Sequence, residues 1–189
     1  MIIISLSGSD QTKTPNFKKW FATSKIKDRQ SNPLVCYHGT LNDFNTFELN
    51  HLGKHDHGYL GAGFYFTALK GIANTYGTKG HGSNVMPVYL RIERPYVITK
   101  HNWQRSDHGY SRVNELSVKL QNSLPGGWGA AAKRASVLYR QELEKLGYDG
   151  IVDDSDGKMS QIVAFYPYQI KSALGNNGKF SLSNNDITK

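Results

Sequence analysis

The chain has 189 residues, of which 38% are apolar and 12% aromatic, and it contains a single cysteine, Cys36. This composition is typical of a globular protein that buries its own core, and one cysteine excludes an internal disulfide. The formal net charge of +8 favours contact with polyanions such as nucleic acids or phosphate-bearing ligands. No apolar run is long enough for a membrane span, and the opening apolar residues are too few for a signal peptide. We therefore expect a cytoplasmic protein.

The first half of the chain predicts short, mixed elements. "TPNFKKWFATSK" begins with Thr14 as a helix N-cap and Pro15 at the first helical position, and Phe17, Trp20 and Phe21 then fall on one helix face. "PLVCYHG" predicts a buried strand, "DFNTFEL" a short edge strand and "FYFT" a further strand. The glycine- and histidine-rich loop "HLGKHDHGYLGAG" separates the last two. "ALKGIANTYG" predicts a helical turn that ends at its final glycine.

The second half predicts two strands, two helices and two more strands. "NVMPVYLRI" and "YVIT" have the pattern of strands, and "RVNELSVKLQNSL" and "AAAKRASVLYRQELEKLGY" that of helices separated by Pro125, Gly126 and Gly127. "DGIVDD" and "QIVAFYPYQI" predict strands on either side of a polar hairpin, "DSDGKMS". Strands that are not regularly interleaved with helices indicate an α+β fold.

The domain organisation follows from the absence of internal repeats and of a long linker. We predict one domain over residues 1–189, with an N-terminal helical extension over residues 1–30. The Asn- and Gly-rich segment 175–189 is predicted to be an irregular tail.

Other chemistries fit the residues less well. Cys36 and His38 share a strand face, but Cys36 lies in an apolar run, which favours a buried and inert thiol. His51, His55 and His57 have no structural-zinc spacing and no cysteine partner, so we predict no metal. "DDSDG" lacks oxygen ligands at the positions that a calcium loop requires. "GAG" precedes a strand instead of joining a strand to a helix, which excludes a Rossmann site.

The stretch from Tyr37 to Tyr76 contains the strongest candidate site. A strand that ends in His38 and Gly39 places an imidazole at a sheet edge, beside a glycine whose backbone a ligand can approach closely. Tyr65 and Tyr76 are eleven residues apart, one on a strand and one on the following helix, and could close over a planar ring. Gly61 and Gly63 precede the first of these tyrosines, and we expect them to leave space for a bulky ligand.

These motifs resemble a known family. "YHGT", "GAGFYFTALKGIANTYG" and "SQIVAFYPYQI" are similar to the His-Tyr-Glu class of ADP-ribosyltransferases, which includes poly(ADP-ribose) polymerases and diphtheria toxin. The resemblance is closest to the ADP-ribosyltransferase domains of phage and mobile-element polyvalent proteins. In those domains "TPNFKKWF", "PLVCYHGT" and "YQIKSALGNNGKFSLSNNDI" have counterparts, so the similarity covers almost the entire chain.

The resemblance implies a fold and a set of roles. It implies a split antiparallel β-sheet with flanking helices and with NAD bound in the cleft as a substrate. His38 matches the histidine that hydrogen-bonds a ribose hydroxyl, and Gly39 matches the glycine whose backbone binds the nicotinamide amide, with Thr40 beside them. Tyr65 and Tyr76 match the two tyrosines that stack on nicotinamide. By this match His38, Tyr65 and Gln161 are the predicted catalytic residues.

Two positions depart from the family pattern. Gln161 stands where the family has a glutamate, and a glutamine can orient ribose but can neither stabilise an oxocarbenium-like centre by charge nor activate an acceptor. Asp153, Asp154 and Asp156 precede it on the hairpin and could supply a carboxylate, although solvated loop acids are the alternative. Ala73 stands where the polymerases have a serine that binds the amide.

The resemblance therefore implies an NAD-dependent mono-ADP-ribosyltransferase of phage or mobile-element type, toxin-like and active in a bacterial host. The positive charge favours nucleic acid over protein as the macromolecular acceptor. One alternative is a catalytically silent module that binds NAD, ADP-ribose or nucleic acid. Another is an RNA-phosphate-processing transferase, which would need grouped arginines, whereas the arginines here are dispersed in sequence.

Overall fold

The computed structural model describes residues 11–53, 57–77, 84–103, 105 and 109–189, and the side chains of residues 74–77 are not described. The chain forms two compact units. The first unit comprises residues 1–47, 66–93 and 166–189, and the second comprises residues 48–65 and 94–165. The prediction of one domain over the whole chain stays a prediction. Within the described ranges, no helix is long and apolar enough to cross a membrane.

The first unit is built on a three-stranded antiparallel sheet. Its strands are β1 (Cys36–Thr40), β3 (Asn84–Leu90) and β7 (Ile170–Ser172), in the order β1-β3-β7. Helix α1 (Pro15–Phe21) precedes the sheet, and helix α2 (Lys70–Gly77) packs on β1 and β3. Two short 3-10 helices, Leu49–His51 and Pro167–Gln169, lie elsewhere in the chain.

Helix α1 begins and packs as its sequence predicts. The Thr14 hydroxyl accepts a hydrogen bond from the backbone N–H of Phe17, which satisfies a group that the first helical turn leaves without an intrahelical partner. Phe17, Trp20 and Phe21 are buried, and with Phe180 they form an aromatic cluster that also includes Tyr89 and Ala173. The Phe17 ring lies edge-on to the Phe180 ring at 5.0 Å. This cluster anchors the start of the described chain to the first unit.

A four-stranded sheet contains β2 (Phe64–Phe66), β6 (Gln161–Ala164), β5 (Gly150–Asp153) and β4 (Pro95–Ile98), in that order. All of its residues except Phe66 belong to the second unit. Helices α3 (Gly109–Leu120) and α4 (Gly127–Lys145) pack on each other. Arg112 of α3 pairs with Glu142 of α4 at 2.6 Å, and this contact raises the pKa of the guanidinium.

The predicted α+β class is confirmed: the structure has two sheets with flanking helices. The second sheet is mixed, because β4 and β5 are parallel whereas β5 and β6 are antiparallel. The predicted strand in "DFNTFEL" is wrong, since the segment forms only an isolated bridge between Thr46 and Asp186 before the 3-10 helix Leu49–His51. The predicted strand "QIVAFYPYQI" is divided, because Pro167 lacks an N–H for the ladder and begins the second 3-10 helix. Its two halves, β6 and β7, belong to different sheets.

The tail packs on β7 through a buried lysine. Lys171 is fully buried, and its Nζ donates hydrogen bonds to the carbonyls of Asn184 and Asp186 at 2.8 and 2.9 Å. Residues 175–189 form no helix or strand, and the backbone N–H of Ser172 on β7 also donates to the carbonyl of Ile187 at 2.8 Å. Burial lowers the pKa of Lys171 to about 8, although the nearby Asp186 carboxylate opposes the shift.

The buried lysine predicts a pH dependence of stability. Lys171 titrates near 8 in the folded state and near 10.5 when unfolded, so between these values the unfolded chain binds more protons. The stability of the wild type, relative to a Lys171→Met variant, should therefore rise by roughly 1–2 kcal/mol as the pH increases from about 8 to about 9.5. Urea unfolding of both proteins over this range measures the difference. A constant or falling difference would contradict the shift.

Candidate active site

The imidazole of His38 is held among phenylalanine rings in the first unit. His38 is the middle residue of β1, and Met86 of β3 is its partner across the sheet. Its ring lies edge-on to Phe47 at 5.1 Å and to Phe44 at 6.1 Å, and tilted to Phe66 at 5.5 Å. These contacts restrict the orientation of a half-buried imidazole, which favours a defined hydrogen-bonding direction. The sequence predicts strands at Phe44, Phe47 and Phe66 but gives no sign that these rings surround His38, because they come from other segments of the chain.

The backbone of Gly39 faces the outer edge of β1. Consecutive residues of an antiparallel strand direct their N–H and C=O groups to opposite edges. Tyr37 exchanges two backbone hydrogen bonds with Thr67, of 2.8 and 3.1 Å, and its partner on β3 is Pro87, which has no N–H to donate. Gly39 therefore directs its N–H and C=O to the same edge as Tyr37, away from β3. Among the described residues no strand pairs with Gly39 at that edge, so a ligand amide can bind both groups there.

Thr40 and Tyr76 complete the predicted ligand-binding residues of the first unit. The Thr40 hydroxyl accepts a hydrogen bond from the N–H of Asn42 at 3.1 Å and donates to the carbonyl of the same residue at 3.3 Å. It therefore stabilises the turn that follows His38 and Gly39. Tyr76 lies on helix α2, as predicted, and its side chain is outside the described part.

Tyr65 has a structural contact that the sequence did not reveal. It lies on β2 in the second unit, and its hydroxyl accepts a hydrogen bond from the N–H of Leu60 and donates one to the carbonyl of Gly61, at 3.0 and 2.8 Å. The same loop is closed by a backbone hydrogen bond from Gly61 to Gly58. The ring of Tyr65 also lies 6.0 Å from that of Tyr59. The hydroxyl thus stabilises the glycine-rich loop before β2.

The glycines before Tyr65 are required by close packing against neighbouring residues, and they do not leave room for a ligand. A Cβ on Gly63 would lie 2.4 Å from Val163 Cγ1 and 2.7 Å from the carbonyl oxygen of Ala164. Gly63 is therefore required for the close approach of β2 to β6. Gly61 has a φ of +120°, and a Cβ there would meet the side chain of Ile151 at 3.1 Å. The expectation that these glycines leave room for a bulky ligand is wrong.

Gln161 is the first residue of β6, and its cross-strand partner on β5 is Asp153. Residues that are directly opposed in an antiparallel pair share a sheet face, with Cβ atoms roughly 4.5–5.5 Å apart. One oxygen of Asp153 accepts a hydrogen bond from the N–H of Ser155 at 3.0 Å. Asp154 and Asp156 accept similar local bonds within the hairpin, and neither is directly opposed to Gln161. Of the three hairpin acids, Asp153 is therefore the one that register places beside the glutamine.

The alternative chemistries gain little from the structure. Cys36 is fully buried, and burial raises the pKa of its thiol far above the ordinary value, which keeps it protonated and unreactive. No group of three His, Cys, Asp or Glu side chains could hold a metal in the described part of the chain. His55 lies outside that part. Ala73, which stands where the polymerases have a serine that binds the amide, is buried, and its methyl group has no hydrogen-bonding atom.

Three arginines that a phosphate-processing transferase could use are paired with carboxylates. Arg91 pairs with Glu93, and Arg140 pairs with Glu144 while its guanidinium lies over the ring of Phe165 at 5.0 Å. Arg112 pairs with two glutamates. These pairs are structural, and they do not favour a grouped phosphate site.

An α+β fold with a His-Gly pair at a strand edge fits the ADP-ribosyltransferase class. The family model of ADP-ribosyltransferases in polyvalent proteins matches residues 28–180. The match covers most of the chain, and the chain belongs to this family. The resemblance stated from the motifs is thereby confirmed. No curated protein and no solved structure matches the chain significantly.

The hydroxyl contacts of Tyr65 give a testable difference between two tyrosines. Tyr65→Phe should lower the free energy of unfolding by about 1 kcal/mol, because it leaves a backbone N–H and a carbonyl of the glycine-rich loop without their partner. Tyr110→Phe is the matched control, since Tyr110 is 63% exposed and should change stability by less than about 0.5 kcal/mol. Thermal unfolding of the wild type and of both variants measures the two changes in stability. Equal stabilities would show that the hydroxyl of Tyr65 contributes nothing.

Proposed function

We propose that this domain is an NAD-dependent mono-ADP-ribosyltransferase that modifies a macromolecular acceptor, with nucleic acid favoured over protein. Family membership supports ADP-ribosyl transfer, and the edge geometry of Gly39 is the observation that carries the assignment of NAD. A primary amide such as that of nicotinamide can donate one N–H to a backbone C=O while its carbonyl oxygen accepts from a backbone N–H. We place the protein in the bacterial cytoplasm, in line with phage or mobile-element origin.

The proposed reaction exchanges one bond at the ribose anomeric carbon. The bond from C1′ to the nicotinamide nitrogen breaks, and nicotinamide leaves as a neutral molecule with the bonding electron pair. The acceptor nucleophile forms a new bond to C1′ and loses its proton to solvent or to a nearby base. His38 would hydrogen-bond a ribose hydroxyl, while the rings of Tyr65 and Tyr76 would stack on nicotinamide. Such contacts accelerate the reaction by fixing geometry as positive charge develops on the ribose.

Gln161 determines the kind of transfer in this proposal. Its amide can orient the ribose but adds no negative charge, so single ADP-ribose units are expected instead of chains. Asp153 faces the same side of the sheet and is the candidate for the missing carboxylate. The acceptor would otherwise supply its own base.

Variants at these two positions test the roles directly. Gln161→Ala should reduce transfer, whereas Gln161→Glu should keep or raise it, with more NAD hydrolysis as the carboxylate activates water. If Asp153 supplies the charge, Asp153→Asn should lower kcat by roughly 10-fold or more, and adding Gln161→Glu should restore it. The matched control is Asp156→Asn on the same hairpin. Full activity in a folded Asp153→Asn protein would contradict the role of Asp153 as the source of the carboxylate.

The second candidate function is a silent module that binds NAD, ADP-ribose or nucleic acid, and the glutamine at position 161 is the observation that favours it. Incubation with labelled NAD and a bacterial lysate separates the two functions. Label that appears in a nuclease-sensitive product, and whose amount decreases steeply as the salt concentration rises, supports the proposed transferase and its acceptor. Label in a protease-sensitive product would replace nucleic acid by protein. Bound NAD without any label would favour the silent module.

A further inference from the structure

The positive charge of the chain is concentrated near its start. Residues 11–33 contain six of the 23 lysines and arginines and one of the 15 acids, which gives +5 of the total +8. Residues 11–27 contain five lysines and no acid, and they precede the segment 28–180 that the family model matches. Half of the net charge, +4 of +8, thus lies in residues 1–27, which the family match does not cover.

This segment is folded, so its cations have defined positions. Phe17, Trp20 and Ile26 are buried and fix the backbone to the first unit. The cations lie on the outside: Lys13, Lys18, Lys19, Lys25 and Arg29 are exposed, and Lys27 is half-buried. We call these six residues the N-terminal basic face.

The charges of the N-terminal basic face are not neutralised within the described chain. None of its six cations forms an ion pair with a described residue. The single acid of the segment, Asp28, accepts hydrogen bonds from the backbone of Gln30 and from the backbone and side chain of Asn32. These bonds lower the pKa of Asp28 and hold it in its own loop. The surface therefore keeps a strong positive field.

An open hollow lies on this surface. Half of its lining is polar, with the cations Lys18 and Lys27 and the hydroxyl-bearing residues Thr12 and Ser31, and the other half is apolar: Phe17, Phe21, Ala22 and Pro33. Lysines and hydroxyls are the side chains that contact phosphates in protein–nucleic acid interfaces, where they position the backbone without reading sequence.

The same segment is poorly suited to a membrane surface. Helices that bind bilayers insert apolar side chains below the headgroups. Here Phe17, Trp20 and Phe21 are no more than 5% exposed, and they are used by the core of the first unit. The exposed residues of the segment are charged or polar except for the small side chains of Pro15 and Ala22, which matches a phosphate backbone and not an acyl layer.

We propose that the N-terminal basic face docks the phosphate backbone of a nucleic acid. The inference rests on the proposed function only in taking the docked nucleic acid as the acceptor of ADP-ribose. Docking itself needs no NAD, so it can be measured separately from the reaction. The expected binding is independent of sequence and steeply dependent on salt.

Two charge-matched variants test the proposal. The first is Lys13→Gln/Lys18→Gln/Lys19→Gln, within the N-terminal basic face. The second is Lys100→Gln/Lys145→Gln/Lys158→Gln, which removes the same charge from exposed positions of the second unit. The probes are a fluorescent single-stranded RNA, a DNA of the same length, and vesicles that contain phosphatidylserine. Thermal unfolding verifies that each variant is folded, and nicotinamide release from NAD is measured alongside.

The first variant should bind RNA and DNA roughly 10-fold or more weakly, with a salt slope reduced by about 2 if all three lysines contact phosphates. The control variant should bind with an affinity within about 3-fold of the wild type. A larger loss of affinity in the control would show that long-range charge alone weakens binding. Equal losses in the two variants, no binding of either nucleic acid by the wild type, or tighter binding to vesicles would each overturn the proposal. Absence of nicotinamide release would instead contradict the proposed function and leave the docking result standing.

Discussion

Replacing Trp20 by alanine should lower the free energy of unfolding by about 3–5 kcal/mol. The indole is 1% exposed, and its Nε1 donates a hydrogen bond to the carbonyl of Tyr168 at 3.0 Å. Its ring also contacts Phe17 and Phe180 at 5.7 and 5.8 Å. Alanine would leave a cavity in the aromatic cluster and would remove the hydrogen bond from the indole to the carbonyl of Tyr168.

The matched control for this variant is Trp103→Ala. Trp103 is 55% exposed, so its removal should change stability by no more than about 0.5 kcal/mol. Urea unfolding followed by circular dichroism compares the two proteins. Similar losses in both would mean that α1 does not anchor the first unit, and the N-terminal basic face would then lose its fixed position.

His38→Ala should lower kcat/KM for nicotinamide release by roughly 5- to 150-fold, the equivalent of about 1–3 kcal/mol. The imidazole is oriented by Phe44, Phe47 and Phe66, so its hydrogen bond to a ribose hydroxyl would need little reorganisation. His38→Gln should retain part of the activity, because the amide of glutamine can still form one hydrogen bond to the hydroxyl.

His101→Ala is the control for that series, since His101 is exposed in a loop of the second unit. It should leave kcat/KM unchanged. Loss of thermal stability in His38→Ala, with unchanged activity per folded molecule, would assign His38 to packing against the phenylalanines and remove it from the reaction.

The fold was predictable where local pattern decides structure. Helix α1 follows from the cap at Thr14, the proline at the first position and the spacing of three aromatic side chains. The β5–β6 hairpin follows from two apolar runs around a polar turn, and the structure has them paired with Asp153 opposite Gln161. Such signals depend on residues that are close in sequence.

The features that sequence missed depend on contacts between distant segments. The run that contains β6 and β7 reads as one strand, and its division depends on which sheet each half joins. Gly63 reads as a residue of a binding loop, yet its role depends on the approach of Val163 and Ala164. The hydroxyl of Tyr65 has two hydrogen-bond partners in a glycine-rich loop, and a loop has no periodic pattern from which such a contact can be predicted.

The candidate site was predictable to the extent that a short motif defines it. "YHGT" predicts His38 and Gly39 as site residues, and in the structure the backbone N–H and C=O of Gly39 lie at the outer edge of β1. The rings around His38 come from the segment 44–47 and from Phe66, whose approach to β1 is a tertiary property. The roles of all the site residues toward NAD remain predictions from the family pattern: His38, Gly39, Thr40, Tyr65, Tyr76 and Gln161.

Release of nicotinamide from NAD by the purified protein is the decisive measurement for the proposed transferase. We expect that the wild type releases nicotinamide, that an added nucleic acid acceptor gains single ADP-ribose units in proportion, and that His38→Ala slows both. NAD that stays intact with RNA, DNA and lysate protein alike, in the presence of folded wild type, would contradict the proposed activity.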